Sequence, residues 1–153
     1  MTKPDLIEPA MLHATFTLKR RLDATPARVF GAWADPATKA RWFVGAGGEH
    51  ELDFRVDGIE VNRNLHEGRQ LTFLSRYCDI VTDRRIVFTS TLSFDATLAT
   101  VSVTSVQLEP AGTGCLLVLT QSGTYLDGHE QPTWREQGTG AQLDALAREF
   151  QPA

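Results

Sequence analysis

The sequence predicts an α+β domain, a run of antiparallel strands with helices at its ends. Three observations predict it. Apolar residues alternate with period two through most of residues 12–125. Turn-forming residues interrupt that stretch at short intervals. After Asp127-Gly128 the spacing becomes helical. A sheet with one apolar face needs a cover, and the C-terminal helix is the only predicted element long enough to supply it.

The elements follow in order. In residues 12–23, Phe16, Leu18 and Leu22 fall at even spacing among Thr15, Thr17, Lys19 and Arg21, which predicts a half-buried strand. Thr25-Pro26 then reads as an N-cap followed by Pro at the first helical position, with Val29, Phe30 and Trp33 at helical spacing. Asp35-Pro36 repeats the start signal and opens a second short helix carrying Trp42 and Phe43. Gly45, Gly47 and Gly48 stop it. From Glu49 alternation returns, with Leu52, Phe54 and Val56 on one face and Glu51, Asp53 and Arg55 on the other. Asp57-Gly58 is a hairpin signal. Further strands are predicted over 59–65, 70–80, 84–95, 98–109 and 114–125, linked by Asp95-Ala96-Thr97 and Ala111-Gly112-Thr113-Gly114. In the last helix Leu143, Leu146, Ala147 and Phe150 form one apolar stripe, and Trp134, Gly138 and Ala141 a second.

The chain has 153 residues, enough for one domain: residues 1–11 read as an N-terminal tail and 12–153 as a single domain. Fifteen basic against nineteen acidic residues leave a net charge of −4, so there is no electrostatic footprint for nucleic acid. The longest apolar run, Cys115 to Leu119, is far too short to span a membrane. Met1 to Pro9 lacks the basic start and apolar stretch of a signal peptide. Cys78 and Cys115, both in strand-like runs, read as buried reduced thiols, and the expected location is the cytoplasm.

No phosphate loop, metalloprotease helix or serine elbow occurs, and Ser122-Gly123 has no base placed beside it. Alternation puts His50 on the opposite face from Glu51 and Asp53, and His66 and His129 sit near turns, so no histidine carries a ligand set. The stripe of Glu51, Asp53 and Arg55 reads either as a solvated outer face or as a polar stripe inside a curved sheet, where it would orient a ligand. Trp33, Trp42 and Trp134 are each explained by core packing, with a ligand wall as the alternative. Gly138 and Gly140 are unusual, since glycine costs about 1 kcal/mol relative to alanine inside a helix. Either the helix begins after Gly140, or its surface must be flat there.

Several segments together resemble the SRPBCC superfamily, also called START-like or birch-pollen-allergen-like. They are Pro26-Ala-Arg-Val-Phe-Gly-Ala-Trp33, Asp35-Pro36, Ala40-Arg-Trp-Phe43, Gly47-Gly48, Tyr77-Cys-Asp-Ile-Val81 and Arg84-Arg-Ile-Val-Phe-Thr89. Leu108-Glu-Pro110, Leu117-Val-Leu-Thr120, Ser122-Gly123, Gly138 and Leu143-Asp-Ala-Leu146 complete the pattern. Within the superfamily the chain is similar to the branch named for the heat-shock-protein-90 ATPase activator domain, over about residues 14–150. The resemblance implies a helix-grip fold, in which a curved antiparallel sheet wraps around a long C-terminal helix and two short helices follow the first strand. It also implies a cavity between sheet and helix, and a helix whose glycines face that cavity. The expected cavity residues are Trp42, Phe54, Tyr77, Trp134 and Gly138, with Asp53 and Arg55 as polar candidates. Two departures stand out. The family often has Trp-Trp-Gly-Pro where this chain has Trp42-Phe43-Val44-Gly45, and Gly-Trp where it has Gly138-Thr139. Trp134, one turn earlier, is the expected partial replacement for that indole.

The implied function is a binding domain for a small apolar or amphipathic molecule, without cofactor or metal, as a monomer or homodimer. A cyclase- or aromatase-like enzyme is an alternative, with Asp53, Arg55 and Tyr77 as the polar groups to test. A chaperone-related interaction protein is another. The eukaryotic co-chaperone of this name has a separate N-terminal domain, for which this chain has no room. The metal expectation is directly testable: elemental analysis of the purified protein should find no stoichiometric zinc or iron, and finding either would assign His50, His66 or His129 a role denied above.

Overall fold

The computed structural model describes residues 9–152. The first eight residues of the expected tail lie outside that range, and the first strand, β1 (Met11–Leu22), takes in the tail's last residue. Two short helices follow, each started as the sequence indicates. Thr25 accepts the Arg28 N–H at 3.3 Å and caps α1 (Pro26–Ala34). Asp35 accepts the Thr38 N–H at 2.9 Å and caps α2 (Pro36–Phe43). Both caps satisfy donors that a helix leaves unpaired at its start.

Six more strands follow: β2 (Glu49–Leu52), β3 (Ile59–His66), β4 (Arg69–Val81), β5 (Arg85–Phe94), β6 (Thr97–Ala111) and β7 (Gly114–Leu126). The links use residues that tolerate positive φ. Asp83, Asp95 and Gly112 lie at φ of 63°, 50° and 60°, and Glu67 and Gly68 turn the link between β3 and β4. The last element is α3 (Pro132–Arg148), the longest helix. All strand pairs are antiparallel in one sheet of order β1-β7-β6-β5-β4-β3-β2. Pairing β1 with β7 brings Met11 opposite Leu126 and Leu22 opposite Cys115, so the first and last strands lie together. This is the α+β helix-grip fold.

The strand register arranges the concave face into cross-strand rows. One row, Ile86, Val106, Leu119 and Leu18, is apolar. It packs with Leu143 and Leu146 of α3 in the hydrophobic core. A second row, Glu60, Ser75, Ser90, Ser102 and Gly123, is small and polar apart from its end. Gly123 is needed there because the Tyr125 ring lies across it, and a Cβ would sit 3.0 Å from the ring. The sheet is therefore bulky along the first row, under the C-terminal half of α3, and low-profile along the second.

Three sequence expectations change. The strand expected over Glu49 to Val56 ends at Leu52, and Val56 is exposed. Gly58 comes so close to the Asp53 and Arg55 carbonyls that a side chain would not fit, and this close loop replaces a simple hairpin. Cys78 is exposed rather than buried, because alternation turns it outward from the buried Tyr77 and a bulge between Tyr77 and Asp79 leaves it unpaired. The helical stripe of Trp134, Gly138 and Ala141 is exposed, with Trp134 and Gly138 at the open edge of a cavity, and the buried stripe is Arg135, Thr139, Leu143 and Leu146.

Gly138 and Gly140 both lie within α3, so the helix does not begin after them. A Cβ at Gly138 would meet nothing within 4 Å, and one at Gly140 would touch the flexible end of Arg20 at 3.4 Å. Neither glycine is required by contact with the sheet backbone. Gly138→Ala and Gly140→Ala should each raise stability by up to about 1 kcal/mol, or roughly 2–4 °C in Tm. Thermal melts check this, and a loss at both positions would contradict the packing described.

Candidate functional site

The helix that covers the sheet does so unevenly. Its backbone lies nearest α2 and β1. Its buried stripe is apolar at Leu143 and Leu146 but polar at Thr139 and Arg135. The apolar end seals against the core. Under the polar end a cavity of about 280 Å3 remains, bounded by α2, α3 and the concave face of the sheet.

Trp33, Trp42, Phe43, Phe73 and Phe88 supply aromatic walls, and Leu71, Leu92, Leu119 and Leu143 fill in between. Trp33 and Trp42 meet edge to face with centroids 4.8 Å apart, and the Trp42 indole N–H donates to the Ala32 carbonyl at 3.0 Å. Trp134 and Gly138 also line the cavity, and Trp134 is 59% exposed. Asn62, Thr104, Gln121, Thr139 and Gln142 are neutral polar members of the lining.

Two charged residues join them, Glu130 and Arg135. Arg135 Nε donates to Glu130 Oε2 at 2.8 Å, and Nη2 donates to Oε1 at 2.7 Å, a two-pronged ion pair. Nη1 donates to Gln121 Oε1 at 3.0 Å and to Ser102 Oγ at 3.4 Å. Thr100 donates to Glu130 Oε1 at 2.6 Å, and Gln121 Nε2 donates to Thr104 Oγ1 at 2.8 Å. The guanidinium lies 5.3 Å from the centroid of Phe73. A buried charge with these partners is neutralised where it stands.

A second buried ion pair stands behind the aromatic wall. Lys39 is wholly buried, and its Nζ donates to Glu60 Oε1 at 2.6 Å and to the Tyr77 hydroxyl oxygen at 3.2 Å. Tyr77 donates to the same carboxylate oxygen at 2.6 Å, and His50 Nε2 lies 2.8 Å from Glu60 Oε2. The ammonium is 4.4 Å from the Phe43 centroid and 5.1 Å from that of Trp33. Burial lowers the Lys39 pKa, against the pull of Glu60. Burial works against the Glu60 charge too, but the Lys39 ammonium and the hydrogen bonds from His50, Lys39 and Tyr77 outweigh it and take Glu60 down to about 2. Burial and the adjacent carboxylate push the Tyr77 hydroxyl far up, so it stays protonated.

The expected cavity residues divide. Trp42, Trp134 and Gly138 line the cavity. Tyr77 and Phe54 do not: their rings pack on each other at 5.0 Å, and Phe54 meets Phe30 at 5.5 Å on the far side. Asp53 and Arg55 are exposed in the loop after β2 and pair with each other at 2.7 Å, outside the cavity. The stripe of Glu51, Asp53 and Arg55 is an outer face. Trp134, for which core packing was one expectation, sits at the cavity's open edge because its stripe on α3 is the exposed one. Among the described residues no group of three histidine, cysteine, aspartate or glutamate side chains gathers around one point.

The Arg135–Glu130 and Lys39–Glu60 pairs were absent from the sequence reading. One signal for Arg135 was available. Stepping back along α3 from Leu146 and Leu143 reaches Thr139 and Arg135, so the buried stripe turns polar. Glu60 gave no signal, since its partner lies across the fold.

A sheet gripping its terminal helix, with a cavity between them, defines the class: a START-like helix-grip domain. Residues 23–151 match the family described as Activator of Hsp90 ATPase homolog 1-like protein, and the chain belongs to that family. Among solved structures it is similar to the Mll3558 protein of Rhizobium loti, at 41% identity over 92% of this chain and 99% of that one, with a TM-score of 0.86. It is also similar to an uncharacterised protein of Rhizobium leguminosarum, at 33% identity over 93% and 97%, with a TM-score of 0.88. The fold extends to Ara h 8.0201, at 12% identity over 90% and 97%, with a TM-score of 0.71. No curated protein matches the chain.

Breaking the buried pair has a predictable pH signature. A carboxylate held at about 2 when folded contributes stability that is fully present above its ordinary value of roughly 4.3 and is lost as pH falls through about 2. Glu60→Gln leaves the Lys39 ammonium buried without its partner. It should cost about 3–5 kcal/mol at neutral pH, and the gap to the wild type should narrow progressively below about pH 4. Denaturant melts across pH read this, and a gap independent of pH would show that the carboxylate charge is not what matters.

Proposed function

We propose that residues 12–153 work as one domain that binds a small apolar or amphipathic molecule in the cavity under α3. The cavity carries this reading. The cavity of about 280 Å3 is partly open to solvent and walled mainly by aromatic and leucine side chains, apolar surface that a bound molecule would cover. Trp134 stands in its lining, exposed to solvent, and an entering molecule would meet it. Fold alone does not assign function, so the reading rests on the site.

The enzyme alternative receives no support from the polar groups first considered. Asp53 and Arg55 sit outside the cavity, and the Tyr77 hydroxyl is committed to Glu60. Two free cysteines, one exposed and one buried, suit a reducing cytoplasm, which we propose as the compartment. No described helix is long and apolar enough to cross a membrane.

Titration with naphthalene, followed by calorimetry, should give saturable binding to the wild type. Gly138→Leu should keep the fold, because a Cβ there meets nothing within 4 Å, and weaken binding by at least about ten-fold by crowding the cavity's open edge. Unchanged binding by the leucine variant would place the naphthalene elsewhere and sink the cavity reading. The family description invites a separate test. Added to a heat-shock-protein-90 ATPase assay, this chain alone should not raise the rate, and a saturable several-fold rise would establish the interaction role instead.

A further inference from the structure

We infer that the cavity selects a neutral, roughly two-ring aromatic molecule and discriminates against its carboxylate counterpart. This rests on the reading of the cavity as a binding site and goes further, to the charge and size of the occupant. Size comes first. An apolar cavity of about 150 Å3 holds one benzene. A cavity of about 280 Å3 has room for close to two such rings. The walls suit flat rings, because Trp42, Phe43, Phe73 and Phe88 present aromatic edges and faces to one space.

Charge decides the rest. Glu130 and Arg135 are the only charged residues among the described lining residues. They neutralise one another through two bonds of 2.7 and 2.8 Å, and their side chains are only 11% and 8% exposed. The remaining Arg135 contacts go to Gln121 and Ser102, and Thr100 occupies Glu130 further. An incoming carboxylate would have to take the guanidinium from Glu130 and leave that carboxylate uncompensated. Otherwise it would lie buried beside Glu130 without a cation. Either arrangement desolvates an unpaired charge, a large penalty. Lys39 offers no help, since Phe43 and Trp33 stand around it and Glu60 holds it. A neutral hydroxyl or carbonyl faces no such penalty, because Asn62, Thr139 and Gln142 provide amide and hydroxyl groups in the lining.

The test titrates the intact protein with naphthalene, a naphthol and the naphthoic acid substituted at the same ring position, at neutral pH, where the acid is ionised. The wild type should bind the naphthol at least about ten-fold more tightly than the naphthoate. Glu130→Gln should raise naphthoate affinity by at least about ten-fold relative to naphthol affinity, because the guanidinium then lacks its anion. Equal or tighter naphthoate binding by the wild type would overturn the neutrality argument while leaving the binding domain intact. So would a folded Glu130→Gln variant whose naphthoate affinity does not rise relative to its naphthol affinity. If that variant does not fold, the wild-type comparison still decides. Binding of none of the three compounds would overturn the binding-domain reading along with this one.

Discussion

The ion pair between Arg135 and Glu130 is the constraint on which the functional half of the molecule depends. A guanidinium is buried between the first turns of α3 and the concave sheet, where an apolar side chain would ordinarily close the gap. It is tolerated because every direction it faces carries a partner: a carboxylate, an amide oxygen, a serine hydroxyl and the face of Phe73. Those partners come from β4, β6, β7 and the link into α3, so the pair ties the start of the helix to the sheet. The helix meets the apolar core at Leu143 and Leu146 and stands over polar groups two turns earlier. The cavity is the space between these two modes of packing.

The Lys39–Glu60 pair does a related job on the opposite wall. It joins α2 to β3 and, through Tyr77, to β4. Trp42 and Phe43, on the same helix, are thereby held as a wall rather than left to collapse into the void. Buried ion pairs of this kind are rarely the most stable solution, because desolvation consumes much of the attraction. Their effect here is geometric: two paired charges bracket the cavity while neither offers a free charge to it. Surface pairs such as Arg20–Asp144 and Arg41–Glu149 tie α3 to β1 and α2, and contribute at most about 1 kcal/mol each.

Membership of the Activator of Hsp90 ATPase homolog 1-like family describes the scaffold. A scaffold of this type leaves its lining residues free to vary, and the lining sets the chemistry. In this chain Gly138 is followed by Thr139 where the family resemblance implies a tryptophan. Both positions lie in the cavity wall, and both are small. The expected substitute, Trp134, lies with Gly138 on the exposed stripe of the helix and not with Thr139 on the buried one.

The order of the elements, the two proline-started helices and the antiparallel sheet were legible in the sequence because they depend on local chemistry. Thr25 and Asp35 announce helix starts through their own side chains, and alternation needs only neighbouring residues. The same local signals failed where the decisive partner was distant in the chain. Alternation could not say that Asp53 and Arg55 face solvent, because the close loop at Gly58 ends the strand before them. Period counting put Trp134 in a stripe but not on a side, since which side is buried depends on where the sheet lies. Nothing in the neighbouring sequence marks Glu60 or Lys39 as a buried charge, because folding alone brings these residues, 21 positions apart, within 2.6 Å. Local sequence determined what each segment would become. Which groups would face one another across the cavity was decided only by tertiary packing, because a buried charge is acceptable only beside partners supplied by other strands and helices.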